Sequence, residues 1–289
     1  MTMIVIMRWL TVLSILVLLA GCGSATGSDS GKVTVVASFY PLAYVAERVG
    51  GSGVDVVDLT HPGQEPHDLE LGVQQTAQLA DSDLVVYEQG LQAAVDEAVQ
   101  QADPDRVVNA ATIADLEPDD PHFWLDPLRL SKVADAVAAQ LERLDPAHAD
   151  SYRARASALD SDLQRLDRAY RVGLGDCRVD TAVVSHDAFG YLEKYGIRFA
   201  PINGLSPDAE PSFAHLAELQ RLAKRDGITT VFTESLASPA LAETLAGDLG
   251  IGTAVLDPIE GLTDATADQD YLSLMRANLH ALRAAGECR

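Results

Sequence analysis

Short β-branched apolar runs alternate with stripes of helical period along most of the chain. Residues 32–37 (KVTVVA), 54–59 and 83–87 read as buried strands, each short and bounded by turn residues. A helix opens at Tyr40-Pro41 and runs to about Val49, where Gly50-Gly51-Ser52-Gly53 ends it. A short second helix covers about 73–79, and Val107-Val108 is a candidate further strand. This alternation predicts a parallel α/β arrangement. Asp126-Pro127 starts a helix over about 128–144, with Leu130, Val133, Val137 and Leu141 on one stripe. Asp145-Pro146 opens the longest helical pattern, about 147–170, which carries Leu159, Leu163, Leu166 and Tyr170 among many charges. At about 1.5 Å per residue it spans roughly 35–40 Å and reads as a rigid spine. After Cys177 the α/β pattern restarts, with strands at 181–184, 197–200, 229–233 and 253–256 and helical segments at 189–195, 211–225, 239–249 and 268–285.

The expected fold class is therefore α/β: two lobes, each a mainly parallel sheet flanked by helices, joined by one long rigid helix. The boundaries expected are an N-terminal lobe at 32–145, a linking helix at 146–174 and a C-terminal lobe at 175–289.

The first residues change the compartment. Arg8 supplies a minimal positive start, and the apolar run from Leu10 to Leu19 has signal-sequence length, too short to span a bilayer as a helix. It ends in Leu19-Ala20-Gly21-Cys22, which resembles a bacterial lipobox. Residues 1–21 are thus expected to be a lipoprotein signal peptide, Cys22 the lipidated residue, and the Gly/Ser/Thr/Asp stretch at 22–31 a flexible tether. The mature protein is expected outside the cytoplasm, anchored to the bacterial cell membrane by the lipid on Cys22. Its two other cysteines, Cys177 and Cys288, can form and keep a disulfide there; the alternative is two unpaired thiols. The net charge of −22 repels phosphate backbones, and no basic stripe offsets it, so nucleic acid is not an expected partner.

The candidate chemistry rests on three histidines in similar settings. His67 lies in Pro-His-Asp-Leu-Glu, His122 in Pro-His-Phe-Trp-Leu-Asp-Pro and His186 in Ser-His-Asp-Ala-Phe-Gly-Tyr. They are too far apart in sequence for a local zinc finger, so only a fold can unite them. Ligands of open α/β sheets bind beyond the carboxyl ends of the strands. His67, His186 and Asp257 each sit just past such an end, and His122 precedes a helix. Three imidazoles plus one oxygen are a natural set for zinc. Glu65, two residues before His67, rivals Asp257 for the fourth position. Asp68 and Asp187 are candidates to orient the imidazoles, and Glu234 reads as a structural carboxylate near the site. His61 is a minor ligand candidate; His148, His215 and His280 read as surface histidines.

These motifs, in this order, resemble the solute-binding proteins of zinc and manganese ABC transporters (ZnuA/TroA type) over nearly all of the chain from Lys32. The resemblance implies metal held in the cleft between two lobes by His67, His122, His186 and Asp257. It also implies delivery to a membrane permease and, through it, to its ATPase. A monomer is expected. Manganese members usually carry a carboxylate where His186 stands, so Zn²⁺ is the expected cargo, with Mn²⁺ or Fe²⁺ as alternatives. The histidine-rich loop of many zinc members is replaced here by the short acidic stretch 115–121, where Glu117, Asp119 and Asp120 can attract cations weakly. The rival reading, an exported zinc hydrolase, lacks a His-Glu-x-x-His motif and a nucleophile elbow; no Walker A loop is present either, so the chain is expected not to be an enzyme.

Overall fold

The computed structural model describes residues 31–207 and 209–289. The signal segment, Cys22 and nearly all of the tether lie outside the described residues.

The first half runs β1 (Val33–Ala37), α1 (Tyr40–Gly50), β2 (Val54–Asp58), α2 (Val73–Asp81), β3 (Leu84–Tyr87), α3 (Ala93–Val99), β4 (Val107–Asn109) and α4 (Ala110–Ala114). Two long helices follow, α5 (Pro127–Leu144) and α6 (Ala149–Gly173). The second half is β5 (Thr181–Val184), a 3₁₀ helix at Gly190–Tyr195, β6 (Arg198–Pro201), α7 (Phe213–Asp226), β7 (Thr230–Thr233), α8 (Ala240–Leu249), β8 (Gly252–Val255) and α9 (Tyr271–Gly286). The strands form two four-stranded sheets of matching order, β2-β1-β3-β4 and β6-β5-β7-β8, and every described pairing is parallel. The central strands are apolar on both faces, as a sheet covered on two sides requires: β3 and β5 are buried throughout.

One hydrophobic core runs through both halves, from Val35 and Leu42 past Trp124, Leu163 and Tyr170 to Val184 and Met275. Helix α6 is built into it as the expected spine. Its inward face carries Tyr152, Leu159, Leu163, Leu166 and Tyr170. Near its start it packs on the first half: a side chain at Gly53 would meet the Tyr152 hydroxyl at 2.5 Å, so glycine is what lets the helix approach, and Arg48 pairs with Asp162 at 2.8 Å. Near its end the Tyr170 hydroxyl donates to the Met275 carbonyl of α9 (2.7 Å). Cys177 and Cys288 are bridged, tying the start of the second half to the end of α9 across 111 residues.

Two short helices escaped the sequence pattern. α3 has 7 residues and α4 has 5, both too short to show a helical period.

Candidate metal centre

The carboxyl ends of both sheets face one place, and four side chains meet there. His67, His122, His186 and Glu260 offer ligand atoms that all lie within 4.8 Å of one another. Oε1 of Glu260 sits 3.3 Å from Nε2 of His67, 3.4 Å from Nε2 of His122 and 3.5 Å from Nε2 of His186. His122, His186 and Glu260 are fully buried, and only His67 keeps some exposure, 15% of its side chain. Among the described residues, Nε2 of His122, Nε2 of His186 and Oε2 of Glu260 are buried without a hydrogen-bond partner. Buried polar atoms left in this state are costly unless something fills the space between them. Three nitrogen lone pairs and a carboxylate pointing at one spot fit a cation.

Each donor is placed by local structure. The 60–72 loop after β2 carries His67, whose N–H donates to the Glu65 carboxylate (3.1 Å). Its tip reaches the other half, where the Gly63 N–H donates to the Leu262 carbonyl (2.7 Å). His122 lies between the acidic loop and a 3₁₀ turn at Phe123–Leu125; Asp126 then caps α5, accepting from the Leu128 N–H (2.9 Å) with Pro127 in the first turn. The Trp124 indole donates to the Pro258 carbonyl (2.7 Å), and the Tyr271 hydroxyl donates to the Trp124 carbonyl (2.6 Å), which ties this turn to the second half. His186 follows β5, and Glu234 follows β7 beside it.

Carboxylates fix two of the rings. Oδ1 of Asp120 is 2.8 Å from Nδ1 of His122 and also accepts the His122 N–H (3.0 Å). Oε1 of Glu234 does the same for His186, at 2.8 Å from Nδ1 and 3.1 Å from the N–H. A proton held on Nδ1 by a carboxylate leaves Nε2 as the lone-pair donor facing the centre. Glu234 thus has the role expected of it. Asp68 and Asp187, the sequence candidates for this task, are exposed, and the acidic stretch supplies Asp120 instead.

The fourth position is a correction. Asp257 does not join the cluster. Its carboxylate turns into its own half, where Oδ1 accepts the Ile259 N–H (2.7 Å) and Oδ2 accepts the Ser235 hydroxyl (2.5 Å). That bond to the residue two ahead shapes a turn in which Ile259 takes a left-handed conformation (φ 60°), and the turn sends Glu260 into the centre. A β-branched residue is strained in that region, which marks the turn as imposed by its surroundings. Glu65, the alternative, stays beside the cluster; burial and the nearby Glu260 charge push its carboxyl up to about 7. His61 is exposed and lies outside the cluster. The one sequence signal near Glu260 was Asp257-Pro258, which marks a turn just before it without saying which side chain the turn would present.

The donors hold charge against one another. Burial disfavours the charged form of His186, but the hydrogen bond with Glu234 and the facing Glu260 carboxylate outweigh it and raise its pKa to about 10. His122 is raised for the same reason, burial being overcome by Asp120 and Glu260. Burial opposes the Glu260 charge as well, yet the three histidines hold that carboxyl well below its usual range.

The sequence profile of the family described as "Zinc-uptake complex component A periplasmic" (ZnuA) matches residues 35–285. The chain belongs to this family. Among its relatives, the zinc-binding lipoprotein AdcA of Streptococcus pneumoniae is 34% identical over 92% of this chain and 58% of its own length. The chain therefore spans less than two thirds of that protein. The high-affinity zinc uptake system protein ZnuA of Bacillus subtilis is 32% identical over 92% of this chain and 93% of its own. In structure, the Zn(II)-bound ZnuA-like domain of S. pneumoniae AdcA covers 89% of this chain and 100% of its own at TM-score 0.78 and 35% identity. The two parallel sheets and the long helix are the ZnuA-like two-lobe architecture.

The carboxylates behind the rings give a first test for this ZnuA-family chain. Asp120→Asn and Glu234→Gln each lower metal affinity roughly 10–100-fold without removing a ligand, because the imidazole loses its orientation and basicity. Competition titration against a calibrated chelator measures this; unchanged affinity in both variants would show that the rings are held by packing alone.

Proposed function

We propose that this protein is an extracytoplasmic binding protein that captures Zn²⁺ and hands it to an ABC importer, with His67, His122, His186 and Glu260 as the ligands. The observation that carries the reading is the convergence of three imidazole nitrogens on one buried carboxylate, with its oxygen at zinc-like spacing from each of them. Zinc bonded at 2.0–2.2 Å to four tetrahedral donors separates neighbouring donors by about 3.3–3.5 Å. The Glu260 oxygen lies 3.3, 3.4 and 3.5 Å from the three imidazole nitrogens. Three nitrogens and one oxygen suit zinc better than Mn²⁺, which prefers more oxygen donors at octahedral spacing. Four protein donors also fill the coordination sphere, which suits carriage; a catalytic zinc keeps an open position for water. Family membership supports a transport component rather than an enzyme.

The partner in this reading is a membrane permease and, through it, its ATPase. The protein acts as a monomer held at the membrane by lipid on Cys22, and the two lobes are the segments 32–145 and 175–289 around the helix of 146–174. Metal analysis of the purified protein, loaded in equimolar Zn²⁺ and Mn²⁺, tests the central claim. One equivalent of zinc is expected; one equivalent of manganese, or zinc retained in full after His67→Ala, His122→Ala and His186→Ala, would remove it.

The site also sets a pH dependence. Metal must displace the proton that His186 holds with a pKa of about 10 in the metal-free protein. Zinc affinity therefore keeps rising between pH 6.5 and 8.5, about tenfold per pH unit for each proton displaced, instead of levelling off above the ordinary histidine range. Stability of the metal-free protein runs the other way. A histidine whose pKa rises on folding stabilises fully below its unfolded value near 6.5, and the gain is lost as pH climbs toward about 10. Chelator competition and thermal melts across this range measure both slopes. A flat zinc affinity above pH 7 would contradict the raised pKa assigned to His186.

A further inference from the structure

The acidic stretch before His122 is held from outside itself. Asp115 and Asp119 both adopt left-handed backbone (φ 58° and 64°), a turn conformation that aspartate tolerates better than most non-glycine residues. The restraint comes from Tyr191, in the 3₁₀ helix that follows His186 in the other half. Its hydroxyl accepts the Glu117 N–H (2.7 Å) and donates to the Asp120 carbonyl (3.0 Å), closing both ends of the turn with one oxygen. The residue before it is Gly190, where a side chain would come within 2.6 Å of Oδ2 of Asp120. The phenol is itself fixed: the Arg129 guanidinium lies over its ring at 5.0 Å, donates to the Ala114 carbonyl (2.7 Å) and pairs with Glu117 (2.6 Å).

We infer that Tyr191 is a positioning residue for the metal site: its hydroxyl sets the place of Asp120, and through Asp120 the orientation of the His122 ring. One short segment, 186–191, then supplies a donor from one half and aligns a donor from the other, so the two imidazoles are registered across the cleft by a single hydroxyl. The inference rests on the reading of the cluster as a zinc site, but its structural part concerns His122 alone and can be read without metal.

The test is Tyr191→Phe in the full protein, with Tyr195→Phe as its control. Tyr195 lies in the same 3₁₀ helix and also donates a buried hydroxyl, to Asp167 (2.8 Å), a partner outside the acidic loop. Three readouts are taken: zinc affinity, zinc release into excess chelator, and the imidazole nitrogen resonances of His122 in metal-free protein. Tyr191→Phe is expected to weaken zinc about tenfold, the lower end of the range for residues behind the ligands, through faster release, and to shift the His122 resonances. Tyr195→Phe is expected to leave all three near wild type. In the Asp120→Asn background, Tyr191→Phe should add little, since both act on one ring. An unshifted His122 in Tyr191→Phe, equal losses in the two tyrosine variants, or full additivity with Asp120→Asn would each overturn the inference. Failure of the wild-type protein to bind zinc would instead overturn the site reading and leave the His122 comparison intact.

Discussion

Glu260→Ala loses a hundredfold or more in zinc affinity, while Asp257→Asn stays within a few-fold of wild type. The free energy of zinc at a closed four-ligand site is about 10–16 kcal/mol, so one ligand of four carries roughly 3 kcal/mol, which is about a hundredfold. Glu260 is also the only anionic member of the cluster and the one that touches all three imidazoles. Without it the +2 ion faces neutral nitrogens in a buried site. Asp257 has a different task. Asparagine keeps a carbonyl oxygen that can accept the Ile259 N–H and an amide that can donate to the Ser235 oxygen, so the turn survives Asp257→Asn. Asp257→Ala removes both bonds, and it lowers stability and zinc affinity together because the turn no longer presents Glu260. Titration of the three variants against a competing chelator separates the roles. Should Asp257→Asn fall as far as Glu260→Ala, the aspartate would be a ligand in solution and the assignment would have to be reversed.

The second large effect is on stability. Replacing both Cys177 and Cys288 by serine destabilises the protein by about 2–5 kcal/mol, because the bridge closes 111 residues of chain and a loop of that size loses much freedom in the unfolded state. In a domain of this size the melting temperature drops by about 5–15 °C. Zinc affinity is expected to change less than twofold. The bridge joins the segment leading into β5 to the end of α9, at the amino edge of the second sheet, and the cluster lies past the carboxyl edge. Sites so separated contribute independently. Thermal melts and chelator titrations of the double-serine protein measure both. An unchanged melting temperature would mean that the bridge does not close the chain in the native protein.

The two effects divide cleanly because the fold puts its staple and its site on opposite edges of one sheet. The histidine variants fall between them. His186→Ala strands Glu234 as a buried carboxylate without its ring partner and loses affinity and some stability together, whereas His122→Ala leaves the partly exposed Asp120 to water and loses mainly affinity.

Local chemistry in the sequence settled much of this protein. Strand, helix and turn signals follow from side-chain spacing, so the eight strands, the long amphipathic helices and the parallel class could be read directly. The three histidines could be read because each stands in a turn beyond an apolar strand or before a capped helix. Four things had to wait for three dimensions. Glu260 replaced Asp257 because an aspartate that caps its own turn has its oxygens committed, and the residue past a left-handed Ile259 points where spacing alone does not say. Asp120, rather than Asp68 or Asp187, joins the expected Glu234 in orienting the rings, since a partner to an imidazole is fixed by distance in space and not by adjacency in sequence. Tyr191 joined the site through contacts between segments some seventy residues apart. The union of the histidines on one carboxylate oxygen is likewise a tertiary fact: sequence supplies the donors, but packing of both halves around α6 and one shared core brings them within 4.8 Å of one another.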